Sequence, residues 1–85
     1  MKPKYYVKTV KANDDYALDV TFEGGEKKQV DMKPLLDWPV FAKLRNIGFF
    51  KLAKSDGCGV VWNEKIDIAP ESLYERGVPI GTTER

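Results

Sequence analysis

Apolar and polar residues alternate most strictly over Tyr16-Ala17-Leu18-Asp19-Val20-Thr21-Phe22, with Tyr16, Leu18, Val20 and Phe22 on one side and Ala17, Asp19 and Thr21 on the other. A period of two is that of an extended strand with one face on a core and the other toward water. Upstream, Tyr5 to Lys11 is aromatic and β-branched and predicts a first strand, with Ala12-Asn13-Asp14-Asp15 as the intervening turn. Downstream, the chain turns at Glu23-Gly24-Gly25 and returns through Lys27 to Met32. The turn length fixes the register. A two-residue Gly24-Gly25 loop would set Leu18 opposite Asp31 and Val20 opposite Gln29, burying polar groups. A three-residue Glu23-Gly24-Gly25 loop pairs Leu18 with Val30 and Tyr16 with Met32, and is preferred because a one-residue slip exchanges the faces of the whole strand. Such loops place a glycine in the left-handed region, here Gly25.

The second half is more broken. Pro34-Leu35-Leu36-Asp37 predicts one helical turn, Trp38-Pro39 interrupts it, and Val40 to Arg45 predicts a short helix with Val40, Phe41 and Leu44 on its apolar side. Asn46-Ile47-Gly48 reads as its end, and Phe49 to Lys54 as a strand with Phe50 and Leu52 inward. After a turn at Ser55 to Gly59, Val60-Val61-Trp62 and Ile66-Asp67-Ile68 predict short strands, and Pro70 opens a last helix that Gly77 closes. The order implies an α+β fold: an N-terminal three-strand antiparallel meander and two to three further strands, covered by short helices. One domain is expected over residues 1–76, with a mobile tail over 77–85. The expected core is Val10, Leu18, Val20, Phe22, Val30, Leu35, Phe41, Leu44, Phe50, Leu52, Val60, Trp62, Ile68 and Leu73.

Composition narrows the chemistry. The 85 residues contain no histidine and one cysteine, which rules out a Ser-His-Asp triad, a Cys-His dyad, an imidazole ligand and an internal disulfide. Neither Ser55 nor Ser72 sits in a nucleophile elbow, and no phosphate-binding glycine motif occurs. The expectation is a non-enzymatic protein with no cofactor and no metal. The opening residues are basic without an apolar core, and no apolar run approaches a membrane span, so a cytoplasmic location is expected.

Charge is blocky although the net value is only +1. Lys2, Lys4, Lys8 and Lys11 are followed by Asp14, Asp15, Asp19, Glu23 and Glu26, then by a basic stretch from Lys27 to Lys54. Opposite blocks on neighbouring strands explain this without a ligand. Between Trp38 and Lys54, however, aromatics interleave with Lys43, Arg45, Lys51 and Lys54, the mixture that single-stranded nucleic-acid binders use. The near-neutral total argues against it, so nucleic-acid binding is the second reading. The first is protein interaction: Tyr5, Tyr6, Trp38 and Tyr74 can supply the amphipathic aromatics enriched at interfaces, and the Lys-bearing first strand is either a guarded sheet edge or a strand-pairing site. Trp62 is read as a core aromatic, with Asp67 as the acceptor for its indole N–H or for amides at the start of the last helix; a ligand site there is the lesser account. Cys58, between two glycines, is read as an incidental thiol.

Three stretches together carry a family resemblance. They are Asp14 to Glu26; Val30-Asp31-Met32-Lys33-Pro34-Leu35-Leu36 followed by Val40 to Arg45; and Val60-Val61-Trp62-Asn63-Glu64-Lys65-Ile66-Asp67-Ile68-Ala69-Pro70-Glu71-Ser72-Leu73-Tyr74. In order and spacing they resemble the domain of unknown function 2442 family of small bacterial α+β proteins. The resemblance implies the fold more firmly than an activity. Some members look like parts of toxin–antitoxin-like gene pairs, often beside a domain of unknown function 4160 protein, which implies a regulatory or antitoxin-like partner of a small neighbouring protein. Others carry an added helix-turn-helix, which residues 77–85 are too few to form.

Overall fold

Residues 3–80 are described by a computed structural model. Strands β1 (Val7–Ala12), β2 (Ala17–Phe22) and β3 (Lys27–Asp31) form the expected meander. A 3-10 turn at Lys33–Leu35, a 3-10 helix at Pro39–Arg45 and a short helix α1 (Ile47–Phe50) follow. Next come β4 (Lys54–Ser55), β5 (Val60–Asn63), β6 (Ile66–Ile68), helix α2 (Pro70–Arg76) and β7 (Val78–Pro79). They make two antiparallel sheets, one ordered β1-β2-β3-β7 and one ordered β4-β5-β6.

The central hairpin follows the alternation. Leu18 stands opposite Val30, Leu18, Val20, Phe22, Val30 and Met32 are buried, and Gly25 has φ +94°. The amide of Phe22 donates to the Glu26 carbonyl at 2.8 Å and that of Gly25 to the Phe22 carbonyl at 2.8 Å, closing the three-residue loop. Met32 pairs with Tyr16 through a 2.9 Å amide-to-carbonyl bond. Tyr16 itself leaves the alternation. Its φ of 65° sets it before the strand, so both Ala17 and Leu18 are buried behind it. The Tyr16 ring packs on Phe50 at 5.2 Å and its hydroxyl donates to the Arg45 carbonyl.

One hydrophobic core joins both sheets, from Val7 and Leu18 through Phe50 to Val60, Trp62, Ile68 and Leu73. The sheets meet where Val7 is bonded on its free side: its amide donates to the Cys58 carbonyl (2.8 Å) and its carbonyl accepts from Ser55 Oγ (2.8 Å). At Val7, therefore, the first strand is a covered edge rather than a pairing site.

Four expectations need correction. Phe49 to Ala53 is not a strand, and only Lys54 of the expected stretch enters one, β4: Asn46 caps α1, its Oδ1 accepting from the Phe49 amide at 3.1 Å, and Leu52 is left exposed beyond the helix. Val10 is only partly buried, because the register of β1 shifts between Val7 and Thr9 and makes Val7 the fully buried position. The segment before Asn46 is a 3-10 helix, whose three-residue turn aligns Phe41 with Leu44 and turns Val40 out to solvent. The chain after α2 is paired at its start: Val78 and Pro79 lie against Gln29 and Lys28, and the Ile80 amide donates to the Lys27 carbonyl at 3.0 Å. The rest of the expected tail, 81–85, lies outside the described residues.

Helix α2 does end before Gly77, but through extended backbone (φ −70°, ψ 148°) rather than a left-handed cap. Glycine is needed there for room. A Cβ on Gly77 would lie 2.7 Å from Lys28 Cβ and 3.0 Å from the Leu73 carbonyl oxygen.

Candidate functional site

The structure gathers the four candidate interaction residues around α2. Tyr5 and Tyr74 face each other across a cleft of about 280 Å³, completed by Lys4, Glu71 and Glu75. Tyr6 stands edge-on to Tyr5, ring centroids 5.4 Å apart. Trp38 is half exposed, stacks on Phe41 at 6.0 Å, and has the Arg76 guanidinium 5.9 Å from its ring. Glu71, Tyr74, Glu75 and Arg76 all belong to one short helix. Their spacing of three and four residues puts the first three on one face.

What anchors that helix is Lys28 of β3. Its side chain is 11% exposed, and its Nζ donates to the Tyr74 carbonyl at 2.7 Å, sits 3.7 Å over the Tyr74 ring and lies 3.8 Å from Glu26. The carbonyls of a last helical turn lack intrahelical donors and form the negative end of the helix dipole, so an ammonium there both satisfies and neutralises. The Tyr74 hydroxyl donates to Glu26 Oε1 at 2.6 Å, and its ring meets Phe22 edge-on at 5.1 Å. The bond to Glu26, with burial adding to it, holds the Tyr74 hydroxyl pKa above the usual phenol range. Tyr6 is also raised, chiefly by a hydrogen bond with Cys58, with the nearby Glu71 carboxylate a smaller contributor.

The basic candidates do not form one surface of free cations. Arg45 donates from Nε to the Leu36 carbonyl at 2.8 Å and lies 3.8 Å from Asp37, and Lys51 pairs with Asp14 at 2.7 Å. That pairing holds the Asp14 carboxyl below its usual range. Lys43 lines an open depression with Phe49 and Leu52, while Lys54 sits apart on β4.

Trp62 is buried, but its indole N–H donates to the Phe50 carbonyl at 2.8 Å, not to Asp67. Asp67 is exposed on β6, where the alternation Ile66-Asp67-Ile68 turns it outward and away from the indole. Cys58 is a half-buried free thiol. Sequence reasoning missed Lys4, Lys28, Glu71 and Glu75; an acidic pair four residues apart around Tyr74 was the available signal for the last two. Among the described residues no group of three carboxylates or thiols converges as a metal site, and no helix is long and apolar enough to cross a membrane.

Two small antiparallel sheets with short helices and an aromatic face on the last helix define a small α+β domain. Residues 7–79 match the family described as Protein of unknown function (DUF2442), and the chain belongs to that family. No curated protein and no solved structure matches it.

Proposed function

We propose that this domain is a non-enzymatic interaction module that docks a protein partner on the face formed by α2 and the N-terminal tyrosines, in the manner of a regulatory or antitoxin-like partner of a small neighbouring protein. One observation carries the reading. Tyr5, Tyr6, Trp38 and Tyr74, from three separate segments of the sequence, all gather at or beside α2, and Trp38 keeps half its surface in solvent. Rigid aromatics with a polar tip give large contact area at low entropic cost, which is why they concentrate at interfaces. Nucleic-acid binding through Lys43, Arg45, Lys51 and Lys54 is the weaker reading, because Arg45 and Lys51 are already engaged within the chain.

The test is co-expression with the product of the neighbouring gene, followed by size-exclusion chromatography. A co-eluting complex that Tyr5→Ala and Trp38→Ala weaken, with unchanged far-UV circular dichroism, supports the proposal. A domain that elutes alone, yet retains RNA or DNA on a filter with affinity falling steeply with salt, overturns it.

A further inference from the structure

We infer that the Tyr5–Tyr74 cleft is a socket for one cationic side chain, an arginine or lysine, presented by a protein partner. This rests on the α2 face being the docking surface and specifies what that surface recognises. The cleft holds about 280 Å³, at the floor of the roughly 300–1,000 Å³ typical of small-molecule pockets and suited to a single long side chain. Its charged groups are Glu71 and Glu75 against Lys4, so carboxylates outnumber the cation. Neither glutamate has a hydrogen-bond or ion-pair partner among the described residues. They lie one turn apart on α2, where like charges repel. Glu75 also stands in the final turn, where the helix dipole disfavours a negative charge. The preference for cations at this end is met by Arg76 within the helix and by Lys28 reaching in from β3. An incoming cation relieves both repulsions at once.

The walls add selectivity. The Tyr74 ring already carries Lys28 and its hydroxyl is given to Glu26, so Tyr74 is held rigid and contributes apolar surface. Tyr5, supported edge-on by Tyr6, is the ring against which a guanidinium or ammonium would rest. Trp38 lies beside α2 through Arg76, off the face that bears Glu71, Tyr74 and Glu75, so recognition of the cation rests on the cleft itself.

The experiment is an amide-resolved NMR titration of the intact protein with the blocked peptide Gly-Arg-Gly, with Gly-Glu-Gly and free L-arginine in parallel. Saturable shifts confined to Tyr5, Glu71, Tyr74, Glu75 and their neighbours are expected with the arginine peptide and not with the glutamate peptide. The E71Q/E75Q variant, whose spectrum elsewhere should overlay the wild type because both positions are on the outer helix face, should bind about tenfold more weakly. Shifts scattered over the surface, undiminished binding by E71Q/E75Q, or free arginine binding as tightly as the peptide would overturn the inference. A neighbouring-gene product that co-elutes equally with wild type and E71Q/E75Q would also sink it, while leaving the docking face itself standing; absence of any complex would count against the docking face instead.

Discussion

Lys28 is the residue on which the position of α2 depends most directly, and Lys28→Met isolates its charge. Methionine keeps an unbranched stem against Gly77, where Lys28 Cβ and Cδ already approach closely, and removes the ammonium. The lost bond is the 2.7 Å donation to the Tyr74 carbonyl from a side chain only 11% exposed. Hydrogen bonds from charged donors contribute about 1.5–3 kcal/mol net, and the deserted carbonyl gains no new donor. Returning the lysine's desolvation energy offsets part of this, leaving an expected loss of about 1–2 kcal/mol. For a domain of this size each kcal/mol lowers Tm by about 4–8 °C. Lys28→Ala, which also strips the stem, should cost roughly 1 kcal/mol more. Urea titration followed by circular dichroism measures both, and hydrogen exchange at the Gly77 amide, which donates to the Leu73 carbonyl at 2.9 Å, reports whether the loss is local to the helix end. A Lys28→Met protein as stable as wild type, with the Gly77 amide equally protected, would refute the capping argument and make the buried charge a neutral passenger.

Gly25→Val should cost at least about 1 kcal/mol, read as a shift in urea midpoint; beyond its chain neighbours nothing lies within 4 Å of the added Cβ, so the cost comes from backbone conformation at φ +94° rather than from crowding at Cβ. Trp62→Phe should lose about 0.5–1.5 kcal/mol by removing the shorter of two bonds to the Phe50 carbonyl, which keeps only the 3.3 Å bond from the Ala53 amide, whereas Asp67→Asn, on the solvent side of β6, should stay within about 0.5 kcal/mol of wild type in the same assay. Folding favours the neutral phenols of Tyr6 and Tyr74, whose ionisation is raised above the usual 10.0, so their contribution is complete below that pH and fades as pH climbs through the folded values. Stability against urea measured up the alkaline limb should therefore fall less steeply in Tyr74→Phe; an unchanged slope would deny the Glu26 bond any role.

The central hairpin was legible because its signals agree. Alternation from Leu18 to Phe22 allows one register against Val30, and only the three-residue loop delivers it, with Gly25 at the bend. The misread stretch, Phe49 to Ala53, failed for the opposite reason. Phe49 and Phe50 suit a strand by type, but Asn46 supplies a helix cap three residues earlier, and a run this short carries too few periods to separate the two. Val10 was misplaced because one extra residue in β1, invisible in composition, changes which side chains face inward. The α2 face was half legible: Tyr5 and Tyr74 were candidates by residue type, but Lys28 and the two glutamates acquire meaning only when β3 and the N-terminal segment are brought beside the helix.

Strand β7 sets the timetable of synthesis. The meander it completes is encoded early, and its first three strands can pair while the ribosome is still at work, but the outer rim of β3 stays bare until residues beyond α2 emerge. A nascent chain held at that stage shows an unpaired ladder to its neighbours, and Pro79, unable to donate, then shuts it with a strand too short to recruit another.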